Sequence, residues 1–322
     1  MTQTGRSSPT DSATLHPNDS MAGGGRYVLA LHFAKLIKEA PHMVKDDDSI
    51  DSVHDMRVAT RRLRSMFALF KPYFPKESVR PLNRTLREIA SALGVVRDLD
   101  VFRLMLQAYA QTRPPAETAA LRAMLTYFDE QRSAALVPLH QTLDSAYFEA
   151  FQDRFKAFLE EVPPPKTTYL LSPKPSRICD VVPILIYEQS AAVRAYEEHL
   201  ERLTLDGLHA LRIEVKRLRY SLEAFAPVLG EEASIVIKAT KVFQDSVGEL
   251  QDTRVAVDYA NGYLESAFSE ETIFSAEASV VRTFLTFCYE EMSRLRQAVP
   301  SVWAEFNAPS VRRAMALAVG AL

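Results

Sequence analysis

Residues 54 to 70 read HDMRVATRRLRSMFALF, and residues 208 to 225 read LHALRIEVKRLRYSLEAF. Placed on a helical wheel with His54 at the origin, Val53, Met56, Ala59, Leu63, Met66, Phe67 and Phe70 fall between about 120° and 260°, the broad apolar stripe of a packed helix. His54, Arg57, Arg61 and Arg64 fall between about 280° and 360°, a separate cationic stripe along its edge. Arg62 points elsewhere. The second segment repeats the layout, with His209, Arg212, Lys216 and Arg219 in the stripe and Arg217 outside it.

The agreement extends outward. At an offset of 155, Asp51 aligns with Asp206, His54 with His209, Arg57 with Arg212 and Phe70 with Phe225. At an offset of 154, Arg84 aligns with Lys238, Arg87 with Lys241, Gly94 with Gly248 and Asp98 with Asp252. Such ordered agreement indicates a tandem duplication of a helical unit. Prolines and apolar periodicity predict helices over 26–40, 51–71, 76–111, 116–160, 178–204, 206–226, 231–265, 269–298 and 302–320. No stretch shows the sustained alternation of half-buried strands, and glycine is scarce, so the predicted class is all-α. Residues 1–25, rich in Ser, Thr, Gly and Asp, read as a disordered tail. The first helical half then spans 26–162, a proline-rich stiff linker 163–177, and the second half 178–322.

With 322 residues, about half of them hydrophobic and a quarter charged, the chain can bury a sizeable core. The net charge of −3 does not by itself predict an anionic ligand, so any basic site must come from local clustering. Cys179 and Cys288 are in no metal-type spacing and suggest no disulfide framework, which fits a reducing cytoplasm. No secretory leader is evident, and apolar stretches such as 178–187 and 280–289 are too short and interrupted to span a bilayer.

Each stripe carries like charges three and four residues apart, which cost a few tenths of a kcal/mol per pair and which a bound anion would relieve. Asp51 and Asp206, three residues before each histidine, are candidate N-caps, which would put the histidines in a first turn whose free N–H groups favour anions. Arg80, Arg84 and Arg87 share a face of the next helix, and Lys238 and Lys241 repeat two of the three as a secondary basic row. A single basic helix is most simply a solvated face; its duplication with identical spacing points to a ligand.

At this point the sequence resembles the CHAD domain family, helical proteins named for their histidines. The likeness rests on the two segments quoted above together with LGVVRDLDVF at 93–102 and VGELQDTRVAVDY at 247–259, and spans about 26–320. It implies two helical bundles related by a pseudo-two-fold axis, basic helices facing a central channel, polyphosphate binding and, for bacterial members, association with polyphosphate granules and polyphosphate-metabolising enzymes. Some members carry a triphosphate-tunnel catalytic domain ahead of this region. None is evident here, and a binding role without cofactor or catalytic residue is expected.

The expected polyphosphate contacts are His54, Arg57, Arg61, Arg64, His209, Arg212, Lys216 and Arg219, with arginine forks gripping oxygens bidentately and lysine acting as a point charge. A nucleic acid is the alternative polyanion, although the stripes lack the aromatic and polar side chains that read or stack bases. His54 and Asp55 form an HD pair suited to a metal-dependent phosphohydrolase, but the second copy has Ala210 in place of the aspartate and no second ligand set accompanies it. A phosphoacceptor histidine is a further reading. Asp98, Asp100 and Asp252 are better suited to holding arginines than metals, with Arg97 and Arg254 nearby, and Tyr220 to core or rim.

Overall fold

The computed structural model describes residues 14–44, 49–161, 174–269 and 271–322. Among them it is all-α, with ten α-helices and no strand. The first half supplies α1 (Met21–Val44), α2 (Ile50–Phe70), α3 (Lys76–Gln111), α4 (Pro115–Leu143) and α5 (Ala146–Glu160); the second supplies α6 (Ile178–Arg194), α7 (Leu205–Phe225), α8 (Ala233–Ala267), α9 (Ala276–Phe306) and α10 (Pro309–Gly320). The order of lengths repeats: α2 and α7 both have 21 residues, and α3 and α8 have 36 and 35.

Several boundaries differ from the sequence reading. The segment 116–160 is two helices, because Ser145 accepts the Phe148 N–H at 3.3 Å and starts α5 afresh. The helix predicted to end at 204 stops at Arg194, and a 3-10 turn, Glu197–Arg202, follows. A break expected at Pro300 is absent: α9 runs through it, held by Trp303 and Phe306, whose rings pack on Phe243 at 5.7 and 5.5 Å. Packing of this kind outweighs the lost hydrogen bond of an exposed proline. Of the predicted linker, 163–173 lies outside the described residues, as does 1–13 of the predicted tail.

The rest of that tail is built into the fold. Leu15 is 3% exposed, and α1 begins at Met21. The Met21 N–H donates to Ser176 O, and Asp19 O accepts from the Ile178 N–H, so the chain start is laced to the start of α6. The glycine run is a close approach rather than a flexible stretch. A Cβ at Gly24 would sit 2.8 Å from Ile178 and Leu15 side-chain carbons, and one at Gly25 2.8 Å from the Phe70 ring.

Division in sequence is not division in packing. One core joins α1, α2 and α5 to α6, α7 and α10, with the Phe33 and Phe155 rings stacked 4.0 Å apart and Phe70 edge-on to Phe225 at 5.6 Å. The second gathers the far ends of α3, α4, α8 and α9, where Phe102 meets Phe128 from its own half and Tyr259 and Phe284 from the other. Both cores therefore draw on both halves, and the contact of Phe70 with Phe225 pins the ends of the two basic helices together.

Candidate functional site

The two basic helices start alike. Ser49 caps α2 by accepting the Ser52 N–H at 3.1 Å, and Thr204 caps α7 by accepting the Gly207 N–H at 3.1 Å. The caps are therefore not Asp51 and Asp206. Those carboxylates sit in the first turn, where the helix dipole favours them, and the histidines open the second turn, beyond the free N–H groups. Hydroxyl caps two residues earlier satisfy the same donors that the aspartates were expected to satisfy.

Because Phe70 and Phe225 meet, the C-terminal stretches of α2 and α7 lie side by side, and a cleft of about 570 Å³ opens between them and the start of α3. Its cations are Arg61, Arg64 and Lys71 from the α2 side, Arg87 from α3, and Lys216 and Arg217 from α7. Among the described residues no carboxylate lines it. Arg217 is held by Glu214 at 2.6 Å, whereas among the described residues no carboxylate pairs with the other five. Asn83 and Gln189 add neutral hydrogen-bonding groups to the wall.

The electrostatics carry the mark of this crowding. The Lys216 amine is pulled down to about 8, by burial first and then by Arg212, Arg61, Arg64 and Arg217. Two of those neighbours, Arg61 and Arg64, belong to the other half of the chain, so the two stripes share one field. Arg64 is lowered by burial and then by Arg87, and Arg212 by burial, with Asp252 opposing the shift and Arg61 adding to it. A depressed amine beside Arg61 and Arg64, which have no acidic partner among the described residues, marks a concentration of positive charge.

Further along the helices the arginines meet the duplicated glycines. A Cβ at Gly94 would lie 3.6 Å from an Arg57 nitrogen, and one at Gly248 3.4 Å from an Arg212 nitrogen, so any longer side chain there would take the guanidinium's place. Arg57 reaches Asp98 at 3.9 Å, and Asp252 stands in the field of Arg212. Burial raises both aspartates, Arg57 opposing the shift at Asp98 and Arg212 at Asp252. Asp98 thus holds an arginine, as expected, though the arginine is Arg57. Asp100 is fully buried and bonded to Arg132 at 2.5 Å, and Arg254 bonds Asp206 rather than Asp252.

Not every predicted contact reaches the cleft. His54 lies outside its lining, largely exposed; its imidazole is lowered by desolvation first and by Arg97 next, with Asp55 opposing. His209 lines a small crevice toward α8 with Gln251 and Arg254. Arg219 is bonded to Glu223 at 2.7 Å and to the Gln244 side chain at 2.8 Å, so its charge is already met. Lys238 and Lys241 are exposed on α8 and outside the cleft lining. The wheel missed Lys71, which sits in a 3-10 turn where helical angles no longer apply, and Arg217, whose long stem carries it back to the rim. Arg62, off the stripe, faces Glu223 of α7 at 3.8 Å.

The CHAD domain family model matches residues 27–261, most of the chain. The chain belongs to the CHAD domain family. It is a family associated with polyphosphate. An uncharacterised protein of Mycobacterium tuberculosis, found in two strains, is 28% identical over 245 residues, covering 72% of this chain and 46% of the relative. The chain thus spans about half the length of the curated relatives it matches. The crystal structure of the CHAD domain from the plant Ricinus communis superimposes with a TM-score of 0.70 at 18% identity, covering 92% of this chain and 95% of that one. PptA from Streptomyces chartreusis gives a TM-score of 0.59 at 15% identity over 88% of this chain and 99% of its own. At these identities the two structures establish the CHAD fold alone. Among the described residues no helix is long and apolar enough to cross a membrane.

Proposed function

We propose that this CHAD domain binds inorganic polyphosphate in the cleft between α2 and α7, without turning it over. The observation that carries the reading is the cleft itself: six cations from both halves, no carboxylate on the wall among the described residues, and an amine pulled down to about 8 by burial and by its neighbours. A linear polyanion with closely spaced charges gains from every one of these groups at once. The contacts are Arg61, Arg64, Lys71, Arg87, Lys216 and Arg217, with Arg57 and Arg212 deeper along the helices and His54 and His209 beyond them. Association with polyphosphate granules or with polyphosphate-metabolising enzymes follows from that affinity as a biological role.

Nucleic acid is the other polyanion to weigh. Tyr220, the aromatic residue of the cleft, is 4% exposed, which leaves no ring face for a base to stack on. The deciding experiment titrates labelled long-chain polyphosphate against the purified protein, with single-stranded DNA as competitor. Polyphosphate should resist displacement by DNA at equal phosphate concentration, and six to eight contacts should give a slope of log K against log salt near −4 to −6, about −0.7 per contact. Equal competition would favour the nucleic-acid reading. Steady release of orthophosphate would overturn the assignment of binding without turnover.

A further inference from the structure

The cleft does not end at α3. Lys71, Asn83 and Arg87 also line a second and larger cavity, about 1070 Å³, that runs over the outer face of α3 toward α5. Its further cations are Lys76, Arg80 and Arg84 from α3 and Arg154 from α5, all exposed. The carboxylate on its wall, Glu88, is already occupied: it accepts the Tyr147 hydroxyl at 2.6 Å and Arg84 Nε at 3.1 Å. The trough is therefore a positive surface joined to the cleft through shared residues, and along α3 from Lys76 to Arg87 it extends roughly 16 Å.

The second half has a groove between α8 and α10, and it is of another kind. It is lined by Ile235, Pro309, Ala314 and Leu317, with Arg313 and Glu232 as the charges on its wall among the described residues. At the offset of 154, Arg80 is replaced by Ser234 and Lys76 by Gly230, and at 155 Lys71 is replaced by Ala226. Lys238 and Lys241 keep the positions of Arg84 and Arg87, without a basic groove around them. The two grooves differ in charge.

We infer that a polyphosphate chain seated in the cleft leaves it in one direction, over the first half, and that the α3–α5 trough is a second stretch of binding site reserved for long chains. The inference rests on the polyphosphate reading of the cleft. A merely solvated groove would need no lining shared with the cleft, and the aligned positions of the second half, Ala226, Gly230 and Ser234, carry no cation. Short polyanions fill the cleft alone; long ones add the trough's cations, and the protein is thereby selective for length.

The test compares tripolyphosphate with long-chain polyphosphate by calorimetry on the full chain. A variant carrying Lys76→Gln, Arg80→Gln and Arg154→Gln, three exposed side chains whose loss leaves the cores untouched, should bind tripolyphosphate as the wild type does. Its affinity for the long chain should fall about tenfold or more, with a salt slope shallower by about 2, the share of three contacts. Lys238→Gln with Lys241→Gln should change neither ligand. The inference is overturned if the triple variant binds long chains normally, if it loses both lengths equally, or if the Lys238 and Lys241 variant matches it. Wild-type protein that binds neither polyphosphate would instead sink the reading of the cleft, and the trough with it.

Discussion

The two halves of this chain repeat the same basic segment and long helix, and they distribute their charge unequally. Both keep a hydroxyl-capped basic helix, a glycine under an arginine and an aspartate near it. They differ in what surrounds these shared parts. In the first half Arg64 is exposed, with no acidic partner among the described residues, while its counterpart Arg219 is tied to Glu223 and Gln244. The two basic helices match in length and capping, while the arginine without an acidic partner among the described residues lies on the first-half side. The difference teaches that a repeated motif marks a shared fold position, not a shared energetic role.

The largest contrast to test lies at one pair of equivalent positions. Asp100 is buried and holds Arg132, with Arg103 3.9 Å away, inside the second core. Its counterpart at the offset of 154 is Arg254, at the surface with the exposed Asp206. Breaking a buried pair is far more costly than breaking an exposed one, so Asp100→Ala should cost about 3–5 kcal/mol in urea unfolding. Arg254→Ala should cost under about 1 kcal/mol. Similar losses at both sites would erase the distinction drawn here.

Next in size is the effect on binding. Arg61→Glu from the first half and Lys216→Glu from the second each reverse a charge in one cleft, and each should weaken long-chain polyphosphate by about a hundredfold, near 2.7 kcal/mol. Circular dichroism should stay wild-type, because neither side chain belongs to the apolar stripe. If either variant kept full affinity at half the stoichiometry, the halves would hold separate sites.

Much of this was legible in the sequence, and for a physical reason. Helix period, repeat offset and the direction of the basic stripe are local properties, so the all-α class and the placement of Arg61, Arg64 and Lys216 follow from spacing alone. What escaped was set by contacts distant in sequence. Arg219 differs locally from Arg64 in having Glu223 four residues on, where Arg64 has Ala68, but its second tie comes from Gln244 on α8, and nothing about Leu15 or Gly25 announces a partner at Ile178 or Phe70. The polar composition of 1–25 suggested a tail because backbone pairing with the start of α6 leaves no side-chain signature.

That buried glycine gives a third and smaller contrast. In an open helix Gly→Ala is stabilising by up to about 1 kcal/mol. At Gly25 the added methyl would lie 2.8 Å from the Phe70 ring and 3.0 Å from Phe74, so Gly25→Ala should instead destabilise by about 1–3 kcal/mol. Gly262, whose added Cβ would meet nothing within 4 Å on α8, is the control and should gain stability. Equal gains at both positions would mean that α1 does not press on Phe70 in solution.

The smallest effect expected is at Lys216, where function and stability should move in opposite directions. Its amine sits at about 8 in the folded protein, against about 10.4 in an unfolded chain. Below about pH 8 both states hold the proton, and the folded state carries the whole cost of a crowded, half-buried cation. Between about 8 and 10.4 the unfolded chain binds more protons than the folded one, so stability rises with pH across that window. Lys216→Met keeps the apolar stem and removes the charge, and should stabilise the free protein at pH 7 by about 1–2 kcal/mol once solvent screening is allowed for. The gain should shrink toward nothing near pH 10.5. Binding runs the other way: a bound polyanion raises the amine, proton uptake accompanies binding above pH 8, and wild-type affinity should fall there by up to about tenfold per pH unit. Lys216→Met should bind more weakly at pH 7 and lose that alkaline slope. Urea melts at pH 7 and pH 10 with calorimetry at pH 7 and pH 9 decide the matter, and a Met variant no more stable than wild type at pH 7 would show that the cleft's charges do not strain one another.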